Sequence, residues 1–163
     1  MSLDDQLEHL AGQLGQQLSQ LGAQVTTAES CTGGGIAQAI TAIAGSSGWF
    51  EAGFVTYSNA QKSQMLGVPE ALFAHVGAVS EEVVTAMALG AAKRAGAQFS
   101  VAVSGVAGPG GGSAEKPVGT VWLAWAVGDA VSCERHVFTG DRQAVRLQTV
   151  QRALEGLISR TAQ

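Results

Sequence analysis

Charge is scarce in this chain. Asp, Glu, Lys and Arg make up 13% of its 163 residues and leave a net charge of −4 at pH 7. A sparse, acidic balance argues against nucleic acid or an anionic membrane as the main partner, since both are held by clustered Lys and Arg. Long apolar runs are missing as well. Hydrophobic residues reach 46%, yet no stretch nears the roughly 20 consecutive apolar residues of a membrane span. The opening "MSLDDQLEHL" lacks the basic and apolar regions of a signal peptide. Cysteine is limited to Cys31 and Cys133, which fits a reducing cytoplasm better than a disulfide framework. His9, His75 and His136 are scattered without metal-ligand spacing, so no metal site is expected.

What the chain has in quantity is apolar surface and glycine. High apolar content with few charges points to surface buried between subunits, a homo-oligomer, and the length fits one domain spanning residues 1–163. Leu7, Leu10, Leu14, Leu18 and Leu21 recur at helical spacing, predicting an amphipathic helix over the first ~20 residues that ends at Gly22. "QVTTAE" reads as a buried strand, and "GIAQAITAIAG" as a helix with Ile36, Ile40 and Ile43 on one face. A strand "EAGFVTYS" follows, then a helix "NAQKSQMLGV" capped by Asn59 and broken by Pro69. Ser80, Glu81 and Glu82 start a helix that runs to about Gly96. "FSVAVSGVAG" is a buried strand and "GPGGGSAEKP" an irregular loop. "VGTVWLAWAV" and "AVSCERHVF" flank a turn at Gly128-Asp129. Asp141 opens a last helix carrying Val145, Leu147, Val150, Leu154 and Leu157. Helices and strands alternate first and a hairpin comes late, which predicts a mixed sheet of about five strands in a three-layer α/β/α sandwich.

Sites in open α/β sheets lie at the carboxyl ends of strands. Three loops qualify: the run "TAESCTGGG" around Ser30, the segment from Tyr57 to Lys62, and the loop from Ser104 to Lys116. None contains a P-loop, a Rossmann glycine pattern or a G-x-S-x-G elbow. Ser30 and Thr32 suit plain helix capping. The N–H groups of Gly33 and Gly34, at a helix start, could instead bind a phosphate or hold a developing oxyanion. Cys31 is the intrinsically stronger nucleophile but has no nearby histidine, and a small buried thiol is its expected role. A serine nucleophile needs a base, and with the histidines so placed Lys62 becomes the candidate. It follows Tyr57, the only tyrosine, just past a strand end. A buried amine there loses its proton near neutral pH through desolvation, whereas an exposed helix lysine would not.

The stretches "TAESCTGGGIAQAIT", "GFVTYSNAQKSQMLGV" and "VSGVAGPGGGSAEKPVGTVWLA" resemble the CinA C-terminal domain family, over a span from about Leu3 to Ile158. Its enzymatic members are nicotinamide mononucleotide amidohydrolases. The resemblance implies an anticodon-binding-domain-like α/β/α sandwich. It also implies hydrolysis of the carboxamide of nicotinamide mononucleotide to nicotinic acid mononucleotide and ammonia, in pyridine nucleotide salvage, with no metal or other cofactor. Carried over, Ser30 is the expected nucleophile with Lys62 and Tyr57 as partners. Glu29 is expected at the substrate, either orienting Lys62 or balancing its charge. Backbone amides around Thr32, Gly33 and Gly34 are expected to hold the oxyanion. The substrate phosphate is expected in the loop containing Gly105, Ala107, Gly108 and Gly110, with Lys116 or Arg142 adding charge. Ser104 stands where the family pattern leads one to expect threonine. A pyrophosphatase activity linked to a larger N-terminal domain in many family proteins is not expected here. The alternative is a non-catalytic nucleotide-binding or regulatory module linked to competence or DNA damage. On the amidohydrolase reading, ammonia release from nicotinamide mononucleotide is expected to survive exhaustive EDTA treatment. Loss that zinc or magnesium reverses would favour metal-activated water instead.

Overall fold

A computed structural model describes residues 2–163. Helix α1 (Leu3–Leu21) begins with a reciprocal capping box between Ser2 and Asp5 and stops at Gly22, which adopts the left-handed conformation at φ 62°. Its buried residues Leu7, Ala11, Leu14 and Leu18 form the inward stripe, whereas Leu21, placed on that stripe by spacing alone, is exposed. Strand β1 (Val25–Glu29) is buried along its whole length. Helix α2 (Gly35–Thr41) is shorter than its apolar pattern predicts. The chain leaves it through Gly45, at φ 85°, into a 3-10 turn at Ser46–Gly48, and Ile43 packs on the core from outside the helix.

The remaining elements are β2 (Phe54–Val55), α3 (Asn59–Leu66), α4 (Ala71–His75), α5 (Glu81–Ala95), β3 (Phe99–Gly105), β4 (Thr120–Val127), β5 (Ala130–Val137) and α6 (Arg142–Thr161). Strand β2 is reduced to two residues because β1 ends opposite it: the paired positions are Ala28 with Phe54 and Glu29 with Val55. The cap of α3 is Ser58 rather than Asn59, since the Ser58 hydroxyl accepts from the Gln61 N–H at 3.2 Å. Ser80 and Asp141 cap α5 and α6 as expected.

The sheet has five strands in the order β2-β1-β3-β4-β5. Strands β2, β1 and β3 are parallel, and β3, β4 and β5 are antiparallel. This is the mixed sheet of an α/β/α sandwich. Side chains alternate between its faces. Val25, Val101, Val103, Leu123 and Trp125 point toward α1, α2 and α6. Ala28, Ala102, Ala124 and Ala126 point toward Val83, Val84, Met87 and Ala88 of α5 and Leu66 of α3.

The alanine face lets α5 lie close to the sheet, and α3 then lies close to α5. A Cβ at Gly90 of α5 would run into the Leu66 carbonyl. In an open helix, Gly→Ala stabilises by about 1 kcal/mol. At Gly90 the sign is expected to reverse, Gly90→Ala costing about 1–3 kcal/mol through overpacking. A lower midpoint in urea or thermal unfolding checks this.

Candidate active site

Ser30 is the first residue beyond β1, and its N–H donates to the Val103 carbonyl of β3 at 3.2 Å. The turn after it is organised by Glu29. That side chain is fully buried. It accepts from Thr32 Oγ1 at 2.6 Å, from the Ile36 N–H at 2.8 Å and from the Ala37 N–H at 3.0 Å, and the Gly34 N–H also faces it. Burial raises the pKa of Glu29, and these donors oppose the rise. The positive end of α2 is therefore occupied by the protein's own carboxylate.

Four residues expected at the substrate, Glu29, Thr32, Gly33 and Gly34, lie beside the cavity described below rather than in its lining. Glu29 and Thr32 bond to each other. The Gly33 N–H is spent on the Ser30 carbonyl at 3.1 Å, and the Gly34 N–H faces Glu29. The triple glycine answers backbone geometry: Gly33 and Gly34 have φ 60° and 103°, and a Cβ on Gly35 would meet Val150 of α6 at 3.0 Å.

Ser30, Cys31, Tyr57, Lys62 and Arg142 do meet, in the wall of one cavity of about 330 Å³. Gly105, Ala107, Gly108 and Gly110 line it as well. Lys62 is only 1% exposed and donates from Nζ to the Tyr57 carbonyl at 3.1 Å. Desolvation lowers its pKa from the ordinary value. Burial pushes the Cys31 thiol up to about 12, which disfavours the thiolate a cysteine nucleophile needs. Tyr57 is exposed, and its phenol oxygen accepts from Arg142 Nη2 at 2.8 Å. Arg142 Nη1 donates to the Gly108 carbonyl at 2.8 Å. Arg142 thus ties the tyrosine to the glycine-rich loop. Lys116 is turned away, donating to the Val76 carbonyl at 2.6 Å.

Two polar side chains in the cavity wall have no site role in the sequence analysis, Asn59 and Ser104. Asn59 was read as a cap, and with Ser58 in that role its amide is free. Ser104 ends β3 beside the nucleophile, a relation that only strand pairing reveals. Ala107, Gly108, Gly110, Gly111 and Gly112 line the cavity, and their N–H groups make no hydrogen bond among the described residues. A larger depression of about 1230 Å³ runs along α1 past His9 and Ser19. Those two residues stand about 15 Å apart along the helix, too far to act together. No group of three or more His, Cys, Asp or Glu is placed to hold a metal among the described residues, and no helix is long and apolar enough to cross a membrane.

Fold and cavity together define an α/β/α sandwich with a cavity at the carboxyl ends of its strands, where sites in open α/β sheets lie. The CinA C-terminal domain model matches residues 7–161, and the chain belongs to that family. It is 66% identical over 154 residues to the nicotinamide-nucleotide amidohydrolase PncC of Pseudomonas putida, covering 94% of this chain and 96% of that one. Identity to the protein of the same name in Escherichia coli K12 is 58% over 156 residues, covering 94% of each. Among solved structures, a competence/damage inducible protein from Agrobacterium tumefaciens superposes with a TM-score of 0.92 at 49% identity, covering 94% of both chains. A CinA superfamily protein from Klebsiella pneumoniae gives a TM-score of 0.92 at 39% identity, covering 96% of this chain and 98% of that one.

The Glu29 network carries the nearest test. Glu29→Ala strands three buried donors and is expected to destabilise the protein by about 1–3 kcal/mol for each donor left unpaired. Glu29→Gln keeps one accepting oxygen and is expected to lose less. Urea unfolding of the two variants checks the order.

Proposed function

We propose that this protein hydrolyses the carboxamide of nicotinamide mononucleotide to nicotinic acid mononucleotide and ammonia, with Ser30 as nucleophile and Lys62 as base. The observation that carries the reading is a serine at a strand end and a fully buried lysine in the wall of one small cavity, in a chain 66% identical to a nicotinamide-nucleotide amidohydrolase. Burial lowers the pKa of Lys62, which is the direction a general base requires.

Lys62 Nζ takes the Ser30 hydroxyl proton as Oγ bonds to the amide carbon, and the carbonyl electron pair moves onto oxygen. When that pair returns, the C–N bond breaks and the proton passes from Lys62 to the departing nitrogen, releasing ammonia. Water, deprotonated by the same amine, then cleaves the acyl-serine ester. With the Gly33 N–H engaged by the Ser30 carbonyl, the oxyanion donors are the Cys31 and Thr32 N–H groups, which follow the nucleophile and have no backbone partner among the described residues. One such donor is worth about 3–4 kcal/mol where it has been measured. The unpaired N–H groups of Ala107, Gly108, Gly110, Gly111 and Gly112 offer the substrate phosphate a cradle that close backbone approach permits, with Arg142 beside it. Tyr57 orients Lys62 through its carbonyl, and its phenol, held by Arg142, faces the substrate.

Ser30→Ala is expected to abolish ammonia release while leaving the fold intact. Lys62→Arg is expected to be nearly inactive, because a guanidinium does not deprotonate at these pH values. In the wild type the rate should rise with pH through the lowered lysine pKa, since only the amine accepts the proton. Assays of ammonia from nicotinamide mononucleotide across pH check all three. Saturable nucleotide binding with no turnover would favour a binding module. Substantial activity in Lys62→Arg would move the base elsewhere.

A further inference from the structure

The mechanism above leaves one buried hydroxyl in the cavity without a role. Ser104 is 2% exposed and lines the same cavity as Ser30 and Lys62. Strands β1 and β3 are parallel neighbours with Glu29 opposite Val103. One step further along the ladder, marked by the bond from the Ser30 N–H to the Val103 carbonyl, Ser30 and Ser104 lie side by side. Ala28 and Ala102, two residues earlier on each strand, both belong to the core beneath α5. By strand alternation Ser30 and Ser104 point to that same side, which is also the side of α3 and Lys62. The Ser104 hydroxyl has no hydrogen-bond partner among the described residues.

A neutral lysine amine has two N–H bonds and one lone pair. To accept the serine proton, its lone pair must face Ser30 Oγ. One N–H is already directed at the Tyr57 carbonyl. The other needs an acceptor, or the amine rotates freely and the lone pair faces Ser30 only part of the time. Of the remaining hydroxyl and amide side chains in the cavity wall, Tyr57 and Asn59 are exposed and the Tyr57 phenol is engaged by Arg142. Ser104 is the buried one.

We propose that Ser104 is a positioning residue whose hydroxyl accepts the second N–H of Lys62 during the reaction and so aims the lysine lone pair at Ser30. This rests on the serine–lysine reading above. The family pattern leads one to expect threonine at this position, and a threonine would keep the hydroxyl that the role needs. The titratable group acting on Lys62 is the Cys31 thiol on the β1 turn, and the Tyr57 phenol and the Arg142 guanidinium, bonded to each other, belong to residues that line the same cavity.

The test compares Ser104→Ala, Ser104→Thr and Ser30→Ala for ammonia release from nicotinamide mononucleotide, with kcat, KM and the pH profile measured for each and thermal unfolding as a control. Ser104→Ala is expected to lower kcat by about 10–100-fold through lost orientation, with KM within about threefold of wild type. Its rising pH limb should move to lower pH, because an acceptor that favours the ammonium form has been removed. Ser104→Thr is expected to restore most of kcat and the original limb. Wild-type kcat and an unmoved limb in Ser104→Ala, with Ser30→Ala inactive, would overturn this role while leaving the serine–lysine reading in place. Equal losses in Ser104→Ala and Ser104→Thr with an unmoved limb would show that the position is merely structural and would also overturn it. Activity in Ser30→Ala would instead overturn the reading beneath it.

Discussion

The Glu29 carboxylate is the contact on which the rest of the site depends. It sits at the last position of β1 and is fully buried. It gathers the Thr32 hydroxyl and the Ile36 and Ala37 N–H groups onto its two oxygens. A helix start carries unpaired N–H groups and a partial positive charge, and here a side chain from the preceding strand supplies the matching anion. Strand end and helix start are thereby locked across a turn of five residues, Ser30 to Gly34. Removing a carboxylate from water is costly, and burial accordingly raises the pKa of Glu29 against the pull of its donors. The turn holds Ser30 in the cavity wall and Cys31 nearly out of solvent.

The two faces of the sheet contribute differently. Branched and aromatic residues toward α1, α2 and α6 build the larger core, locked by Trp125, whose Nε1 donates to the Ala153 carbonyl of α6 at 3.1 Å. The opposite face carries Ala28, Ala102, Ala124 and Ala126 at its centre. Small side chains there bring α5 onto the sheet, and the close approach of α3 to Gly90 carries Lys62 down to the strand ends. The depth of the lysine follows from this packing. That depth takes the amine out of water and lowers its pKa. A surface lysine at the same position in the sequence would stay charged.

Much of this was legible in the residues. The leucine spacing of α1, the caps Ser80 and Asp141, the hairpin at Gly128-Asp129 and the late antiparallel pair all follow from local preferences, and the structure agrees with them. Elements went astray where tertiary pairing decides. Strand β2 shrank to two residues because β1 turns away at Ser30. Ser58 took the cap from Asn59 because its own extended backbone aims its hydroxyl at the Gln61 N–H. In the site, Ser30, Tyr57, Lys62, Arg142 and the glycine-rich loop were nameable from the sequence. The partner of Glu29 was not, since a carboxylate beside a serine and three glycines looks the same whether it faces a ligand or a helix.

By itself, then, the sequence determined the elements, their alternation and the set of reactive side chains, because periodicity, caps and turn residues act within a few positions of one another. Tertiary structure decided which groups are spent and which are free. The amides of Gly33 and Gly34 go to the protein itself, those of Ala107, Gly108, Gly110, Gly111 and Gly112 are left unpaired among the described residues in the cavity wall, and Lys116 is tied to Val76. It also decided that Ser104 lies beside Ser30 and that Lys62 is dry. The physical reason is that hydrogen-bond satisfaction and desolvation depend on atoms brought together by strand register and helix packing, across separations in the chain that no local pattern records.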